Sequence, residues 1–394
     1  MRIAIFSDNF YPEISGISDS IILLAKELAS MDYEVHFFVP RYSQKDFAIA
    51  NISFEELDLG DAITMHRMRS FPYPGSPTKQ ARIVAPLLQA VSVFRRNKFD
   101  LIYSQSPFGA GLEALLIAKM YGIPLIGTNH TPIAEFVRYF FVQNAFIKKV
   151  AMRYFSWYYN RCTLVTAPYG GLLEDMRKNG LNAKTKVISN PVELESFHRV
   201  SEDEKSELKG KYGLSIATVL YTGRLSKEKC VDEIIAAFQD VLKVVPEADF
   251  VITGSGKEED NLKDLAKKLE IASRVKFFGR VDDATHAELY QAADVFSIMS
   301  TAETQSLSLM KAMAASLPVV VADAGALPMH VNARNGFVVG AHNTKGLSER
   351  MIRLLQDKQM RERLGSEGFA YVRQFSAKHV AEQWAHIFNR IIKK

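Results

Sequence analysis

The stretch DVFSIMSTAETQSLSLMKAMAASLPVVVADA, residues 294–324, decides the fold. Its two ends, DVFSIMS and PVVVADA, are apolar runs with the length of buried strands, and SLMKAMAAS between them has helical spacing. A strand, a helix and a strand in succession are typical of a parallel sheet that is buried on both faces. Upstream, TVLYTGR (218–224), ADFVITG (248–254) and VKFFG (275–279) predict further strands of this sheet.

The N-terminal half of the chain shows the same alternation of strands and helices. A helical run, 18–30, follows the first apolar run, and the predicted strands are RIAIFS (2–7), EVHFFVP (34–40), FDLIYSQ (99–105), PLIGTNH (124–130) and CTLVTAP (162–168). The pattern therefore predicts an α/β protein with two facing sheets and a cleft. Ligands of such sheets bind outside the carboxyl ends of the strands.

Four segments are expected along the chain. Residues 1–195 form the N-terminal domain and 214–370 the C-terminal domain, because the strand pattern restarts at 218. Residues 196–213 are charged and lack a strand pattern, so they are the expected linker. Residues 371–394 have the spacing of one amphipathic helix.

Composition excludes several classes of protein. The 394 residues are 47% hydrophobic and 24% charged, which excludes a disordered, collagen-like or coiled-coil chain. The apolar runs are too short for a membrane-spanning helix, and the first residues lack a signal-peptide pattern. Cys162 and Cys230 are too few for a disulfide scaffold or a Cys-based zinc site. We expect a cytoplasmic protein.

The net charge of +5 lies in the N-terminal half, and the stretches 62–99 and 136–173 contain no acidic residue. Within 136–161, five cations are interspersed among ten aromatic residues. Cations attract anionic lipid headgroups and aromatic rings suit the headgroup boundary, so 62–99 and 136–161 are a candidate surface for the inner face of the cell membrane. The alternative is two buried helices whose aromatics fill a core. No nucleic-acid-binding module is present, so nucleic acid is not an expected partner.

Two residues of the N-terminal half have the position of ligand contacts. Gly16 follows the first predicted strand and precedes a helix, where a diphosphate can approach backbone N–H groups, although it could be an ordinary loop glycine. His130 ends the strand 124–130 and could contact a sugar hydroxyl or be structural. The GSG at 254–256 lacks the third glycine of a dinucleotide fingerprint, which disfavours a nicotinamide dehydrogenase.

In the C-terminal half, Arg224 and Lys229 come directly after a predicted strand. Two cations there could hold both phosphates of a nucleotide diphosphate and neutralise it as a leaving group, or they could belong to a solvated basic turn. The chain has no Asp-x-Asp pair of the kind that binds a metal in nucleotide-sugar enzymes. No metal site is therefore expected.

Glu303 follows the strand 294–300 and precedes a helix. It could accept hydrogen bonds from sugar hydroxyls, or it could be an acidic residue that is stabilised by the positive end of the helix dipole. Thr304, Gln305 and Ser306 stand at the start of that helix, where backbone N–H groups can meet a phosphate or a sugar oxygen.

Taken together, these motifs resemble a GT-B glycosyltransferase of family 4 along nearly the whole chain. The resemblance is carried by SGI at Gly16, NHT at His130, SNPVELESF (189–197), GRLSKEK (223–229), VITGSG (251–256), VKFFG and the ETQ…AMAASLPVV block. The ETQ form and the aromatic, basic N-domain stretch are similar to the monotopic diacylglycerol α-glucosyltransferases.

The resemblance implies two Rossmann-like domains facing each other across a cleft, and retaining transfer of a hexose from a nucleotide-diphosphate sugar, usually UDP-glucose. Arg224 and Lys229 would bind the diphosphate, His130 would lie beside the transferred sugar, and Glu303 would contact its hydroxyls. The last helix would cross back to the N-domain. The donor is a substrate, so no cofactor is expected.

One position departs from the family pattern. Lys311 stands where the second carboxylate of the family's motif receives the ribose hydroxyls, and an ammonium group has no acceptor. We expect a metal-independent hexosyltransferase with a membrane glycerolipid acceptor. The alternatives are a soluble or polysaccharide acceptor, a nucleotide-sugar 2-epimerase, or a catalytically weakened partner subunit. The oligomeric state is left open.

Overall fold

The structure is a computed structural model that describes residues 1–13, 15–50, 52–73, 80–131 and 145–393. The chain forms two compact units. The first consists of Met1–Pro191 together with Ala377–Lys394, and the second of Val192–Ser376.

The first unit is built on a parallel sheet that has seven strands within the described residues. These strands are β1 (Arg2–Phe6), β2 (Glu34–Pro40), β3 (Ile63–Met68), β6 (Leu101–Ser104), β7 (Leu125–Thr128), β8 (Leu164–Ala167) and β9 (Thr185–Val187). Their order across the sheet is β3-β2-β1-β6-β7-β8-β9. Ile3 in β1 pairs with Val35 in β2 and with Leu101 in β6, which sets the register on both sides of β1.

A short antiparallel pair, β4 (Ser70–Pro72) and β5 (Arg82–Val84), lies apart from this sheet. The helices of the unit in its described ranges are Gly16–Ser30, Gln44–Ala50, Val91–Arg96, Gly109–Tyr121, Ala145–Tyr159, Gly170–Lys178 and Ala377–Ile392. Their apolar side chains cover the two faces of the sheet in two clusters of buried residues.

The C-terminal helix Ala377–Ile392 completes one of these clusters. Trp384 and Phe388 are almost fully buried, and their rings pack against Tyr103 of β6 at centroid distances of 4.6 and 6.1 Å. The helix begins at Ala377 and not at Tyr371 as predicted, because the preceding helix continues to Val372 and ends in a 3₁₀ turn.

The second unit, all of whose residues are described, contains a six-stranded parallel sheet. Its strands are β10 (Thr218–Thr222), β11 (Asp249–Thr253), β12 (Val275–Gly279), β13 (Val295–Ile298), β14 (Val319–Ala322) and β15 (Gly336–Val339). They are arranged in the order β12-β11-β10-β13-β14-β15. The helices are Glu202–Lys211, Val231–Val244, Glu259–Lys268, Asp283–Ala292, Leu307–Ala314, Leu327–His330, Thr344–Gln356 and Lys358–Val372.

Residues 196–213, predicted as a linker, cluster with the second unit. They include the helix Glu202–Lys211, which begins with a capping box at Ser201. Two of its lysines bind the buried carboxylate of Asp294, Lys205 at 2.8 Å and Lys209 at 2.6 Å. These contacts fasten the helix beside the start of β13.

Both sheets are Rossmann-like, as the sequence predicted, and in each the strand order reverses once. In the first sheet the reversal lies between β1 and β6, and in the second it lies between β10 and β13. Loops leaving adjacent strands diverge at such a switch point and leave a crevice at the carboxyl ends, where ligands of open α/β sheets bind.

Candidate active site

The switch point of the second unit brings together two of the predicted site residues. Lys229 lies in the 3₁₀ turn Lys227–Lys229 after β10, and Glu303 lies in the loop after β13. The ammonium Nζ of Lys229 donates a hydrogen bond to Oε1 of Glu303, across 74 positions of sequence. The two side chains are only 13% and 11% exposed, so the ion pair is largely shielded from water.

Hydrogen bonds hold this turn against the loop that follows β13. The backbone carbonyl of Glu228 accepts from the N–H of Thr301 at 2.9 Å and from its hydroxyl at 3.3 Å. The carboxylate of Glu228 accepts from Ser226 Oγ at 2.6 Å. Both loops of the switch point are therefore fixed relative to each other within the unit.

Arg224 lies nearer to solvent than Lys229. Its side chain is 46% exposed and its guanidinium is 3.8 Å from the carboxylate of Glu228, a contact that water screens strongly. The Tyr221 hydroxyl donates to the Arg224 carbonyl at 2.9 Å and anchors the backbone. Arg224 thus has a fixed main chain and an accessible cationic head.

Two glycines permit a close approach of the loops. Gly254 has φ +116°, and a Cβ there would lie 1.9 Å from the carbonyl oxygen of Gly223. Gly325 has φ +56°, and its Cβ would lie 2.7 Å from the Glu303 carbonyl oxygen, which already accepts from the Ala326 N–H at 2.9 Å. The GSG of 254–256 thus serves loop packing in this structure.

The segment 304–306 leads into the helix Leu307–Ala314. Ser306 adopts φ 64° and caps this helix, since its hydroxyl accepts from the Leu309 N–H at 3.4 Å. Gln305 and Ser306 are buried, and Thr304 is half-buried. Of the three side chains, that of Thr304 is the most accessible.

Lys311 lies on the helix Leu307–Ala314. Its ammonium is 4.7 Å from the centroid of the Phe197 ring, a cation–π contact. Phe197 in turn packs edge-on against His286, whose Nε2 is 3.0 Å from the Thr222 hydroxyl at the end of β10. Burial, and then the charge of Lys311, lower the pKa of His286 to about 4.

His130 belongs to the first unit and follows β7. Its Nε2 lies 2.8 Å from Oε1 of Gln105, so we assign Nε2 as the protonated nitrogen that donates to that oxygen. Nδ1 is buried and has no hydrogen-bond partner among the described residues. Burial lowers the pKa of His130 to about 4, so the ring is neutral at physiological pH and Nδ1 carries a free lone pair.

Gly16 is exposed and is the first residue of the helix Gly16–Ser30. The preceding residue, Ser15, caps this helix by accepting from the Ile17 N–H at 3.3 Å. Gly16 thus has the predicted position after β1 at a helix N-terminus.

Two buried carboxyl groups near the end of β1 were not predicted. Asp8 accepts hydrogen bonds from Ser106 Oγ at 2.6 Å and from backbone N–H groups of Val84 and Ala110, and burial raises its pKa. Burial raises the pKa of Glu13 to about 7. An acidic residue directly after an apolar strand was the signal available for Asp8.

The sequence left open whether the aromatic residues of this stretch are buried or lie on the surface, and the helix Ala145–Tyr159 contains apolar residues of both kinds. Tyr158 and Tyr159 are fully buried, whereas Phe146, Val150 and Trp157 are 72%, 50% and 42% exposed. The exposed three stand at positions i, i+4 and i+11, which places them on one face of the helix. We call them the apolar stripe.

Cations accompany the apolar stripe. Lys149, Arg153 and Arg161 are exposed, and the Arg161 guanidinium lies 4.3 Å from the Trp157 ring centroid. Several other residues of the predicted surface, namely Lys79, Phe136, Arg138 and 139–141, lie outside the described residues. None of the helices within the described ranges is long and apolar enough to cross a membrane.

Comparison with known protein families agrees with this geometry. Residues 14–196 match the family model "Glycosyltransferase Family 4", and residues 204–370 match "Glycosyl transferases group 1". The first match lies almost entirely in the first unit, and the second lies within the second unit. The chain belongs to the family 4 glycosyltransferases of GT-B fold, and it is therefore an enzyme of sugar transfer.

Among its relatives, the chain is 28% identical to the alpha-monoglucosyldiacylglycerol synthase of Acholeplasma laidlawii over 331 residues, covering 82% of this chain and 80% of the relative. It is 29% identical to the enzyme of that name from Streptococcus pneumoniae, covering 81% and 70%. Anabaena HepE, solved with UDP and with UDP-glucose, has the same fold: TM-scores are 0.78 and 0.76 at 21% identity, with 99% of this chain and 100% of HepE covered.

Proposed function

We propose that this glycosyltransferase moves a hexose, in the first instance glucose, from a UDP-sugar to a hydroxyl of a membrane glycerolipid, with retention at the anomeric carbon and without a catalytic metal. The observation that carries the proposal is the shielded Lys229–Glu303 pair at the switch point, with the accessible head of Arg224 nearby. The choice of donor and acceptor is supported by the names of the relatives and by the UDP-glucose bound to HepE.

The two cations supply what the leaving group needs. When the anomeric C–O bond to the diphosphate breaks, its electron pair moves onto a phosphate oxygen, and Lys229 and Arg224 stabilise that charge. Donors that are already in place when charge develops are usually the largest catalytic contribution. As Lys229 turns to the diphosphate, the Glu303 carboxylate becomes free to accept hydrogen bonds from the sugar hydroxyls.

Retention follows from attack on the face that the diphosphate leaves. The acceptor hydroxyl forms the new bond to the anomeric carbon, and its proton passes to the departing phosphate oxygen, so no external base is required. The neutral ring of His130 offers its Nδ1 lone pair to a substrate hydroxyl. A neutral acceptor there also avoids repulsion with a sugar ring that gains positive charge.

The apolar stripe with Lys149, Arg153 and Arg161 supports the lipid acceptor. Rings and cations on one exposed face of the helix Ala145–Tyr159, with Arg161 just beyond its end, are suited to the boundary between headgroups and acyl chains of an anionic membrane. We propose that this face holds the first unit on the lipid surface. Localisation at the inner face of the cell membrane is part of the same proposal.

Activity is tested by incubating the protein with UDP-, GDP- and ADP-sugars and diacylglycerol vesicles, without added divalent cations. Mass spectrometry detects the glycolipid, and the NMR coupling of its anomeric proton reports the stereochemistry. We expect an α-linked product from a UDP-sugar. Absence of calorimetric binding to every donor would refute the proposal. Isomerised sugar from donor alone would indicate a 2-epimerase instead.

Membrane contact is tested by liposome flotation with and without anionic lipid. The double variant Phe146→Ser/Trp157→Ser removes two side chains of the stripe. Ile216→Ser, at an exposed apolar residue of the second unit, is the matched control. We expect the wild type and the control to float on anionic liposomes and the double variant to remain in solution. A wild type that stays in solution would favour a soluble or polysaccharide acceptor.

Lys311 motivates a second candidate, a sugar-binding partner subunit with weakened catalysis. Its ammonium contacts the Phe197 ring and offers no acceptor to a ribose. Turnover by the wild type would exclude this candidate. Activity that appears only in Lys311→Glu would support it.

A further inference from the structure

Three side chains of metal-ligand type converge in the second unit, apart from the Lys229–Glu303 pair. Cys230, Glu233 and His342 each bring one ligand atom, and these atoms all lie within 4.8 Å of one another. His342 Nδ1 is in direct hydrogen-bond contact with Oε1 of Glu233. They are the one such group of three or more potential ligands in the part of the chain that the structure describes.

Two neighbouring helices supply these ligands from their N-terminal ends. Cys230 is the N-cap residue of the helix Val231–Val244, and Glu233 lies in its first turn. His342 stands two positions before the helix Thr344–Gln356, which packs against the first helix. Without an ion, burial and then the charge of Glu233 raise the pKa of the Cys230 thiol to about 11, so the thiol gives up its proton only when a metal ion binds.

The backbone at two of the three positions is unusual. Cys230 has φ 48° and His342 has φ 65°, both in the left-handed region that glycine adopts without strain. A residue with a Cβ is less stable there. Here two such residues direct their side chains at the same carboxylate. Strained backbone of this kind is often found at functional sites.

One oxygen of the carboxylate has no partner. Oε2 of Glu233 is buried and makes no hydrogen bond to any described residue. A buried carboxylate oxygen without a donor is costly, and a cation would satisfy it. The His342 side chain is 70% exposed, which gives an ion a path from solvent to the group.

We infer that Cys230, Glu233 and His342 bind a divalent ion of borderline softness, with Zn²⁺ the best match. Zinc takes thiolate, imidazole and carboxylate ligands in tetrahedral sites, and water would fill the fourth position. On binding, the Cys230 thiol loses its proton to solvent, and the ion replaces the direct contact between His342 and Glu233. This inference does not rest on the proposed function, because none of its ligands contacts the donor in that mechanism.

The site has a consequence for its neighbour in sequence. Cys230 directly follows Lys229, so a bound ion would fix the end of the turn Lys227–Lys229. The sequence had excluded a zinc site because two cysteines are too few for a Cys-based one. This group needs a single cysteine, and its other ligands are a carboxylate and an imidazole.

The test uses the full chain, freed of metal with a chelator and titrated with Co²⁺ as a spectroscopic substitute for Zn²⁺. Cys230→Gly and His342→Asn each remove a ligand and place there a residue that tolerates the left-handed backbone, so both should fold. Glu233→Gln removes the carboxylate charge. The matched controls are Cys162→Ala, at the other cysteine, and His379→Ala, at another exposed histidine.

We expect the wild type and both controls to bind one Co²⁺ with a cobalt–thiolate charge-transfer band, which Zn²⁺ abolishes by competition. Cys230→Gly should lose the band. His342→Asn and Glu233→Gln should each weaken Co²⁺ binding by more than about 10–100-fold, which is the typical loss when a residue that only hydrogen-bonds to a metal ligand is removed. Absence of the band in the wild type would overturn the inference. So would a band that survives in Cys230→Gly.

Discussion

Replacing Lys229 by methionine tests whether this cation acts on the leaving group. Methionine keeps an unbranched chain of similar length and removes the charge that lies against Glu303. A contact between unit charges at about 4 Å and an effective dielectric near 20 contributes about 4 kcal/mol before desolvation. Since each 1.4 kcal/mol is a factor of ten in rate, kcat should fall by about 10²–10³-fold.

The same substitution also affects stability, and this effect must be separated from the loss of rate. Glu303 is 11% exposed, so loss of its partner leaves a shielded carboxylate unpaired, at a cost of about 3–5 kcal/mol. The double variant Lys229→Met/Glu303→Gln removes both charges. Its free energy of unfolding should return toward the wild-type value, while its kcat should stay low because the diphosphate still lacks its cation.

The assay compares kcat and KM for the UDP-sugar with urea unfolding of each variant. Lys227→Met is the matched control, because Lys227 is an exposed lysine of the same 3₁₀ turn. It should change kcat by less than about threefold, in keeping with the small contribution of surface charges. A Lys229→Met variant with the wild-type kcat, or a double variant that regains activity, would refute the reasoning.

Three further substitutions test other parts of the molecule. Gly254→Ala should destabilise the second unit by about 1–3 kcal/mol and raise the donor KM, because the added Cβ would meet the Gly223 carbonyl. Urea unfolding and donor kinetics measure the two effects. An unchanged midpoint of unfolding would contradict the prediction. Burial raises the pKa of Glu13 from 4.5 to about 7, so its proton is lost more easily on unfolding and wild-type stability falls as pH rises through that window. Glu13→Gln should reduce this fall without abolishing it, because burial also raises the pKa of Asp8, and unfolding curves of both proteins across the window measure the difference. Lys311→Glu should lower the donor KM roughly tenfold by adding an acceptor for ribose hydroxyls, and an unchanged or higher KM would argue against that role.

The fold could be predicted because the strands of a parallel sheet produce a recognisable pattern of apolar residues in the sequence. β14, Val319–Ala322, is fully buried, and a strand buried on both faces is read as a continuous apolar run. The pair Ser70–Pro72 and Arg82–Val84 was missed because three residues per strand are too few to show a period of two.

The candidate site could be predicted for residues that follow strands, because ligands of open α/β sheets bind at the carboxyl ends of the strands. Lys229 and Glu303 were chosen because each follows a strand, and the structure places them in contact at the switch point. Their catalytic roles stay predictions. Glu233 and His342 are 109 positions apart, and no sequence period connects them. Their contact depends on two helices packing side by side and on left-handed backbone, neither of which a local pattern shows.

The helix Ala377–Ile392 makes the first unit discontinuous in the chain, and this has a consequence for biosynthesis. During translation, residues 1–191 leave the ribosome long before the segment that covers Tyr103 with Trp384 and Phe388. The nascent first unit must wait, with part of one face of its sheet uncovered, while all of the second unit is made. Chaperones that shield apolar surface should therefore engage the growing polypeptide until about residue 388 has emerged, and a circular permutant that synthesises this helix first should depend on them less.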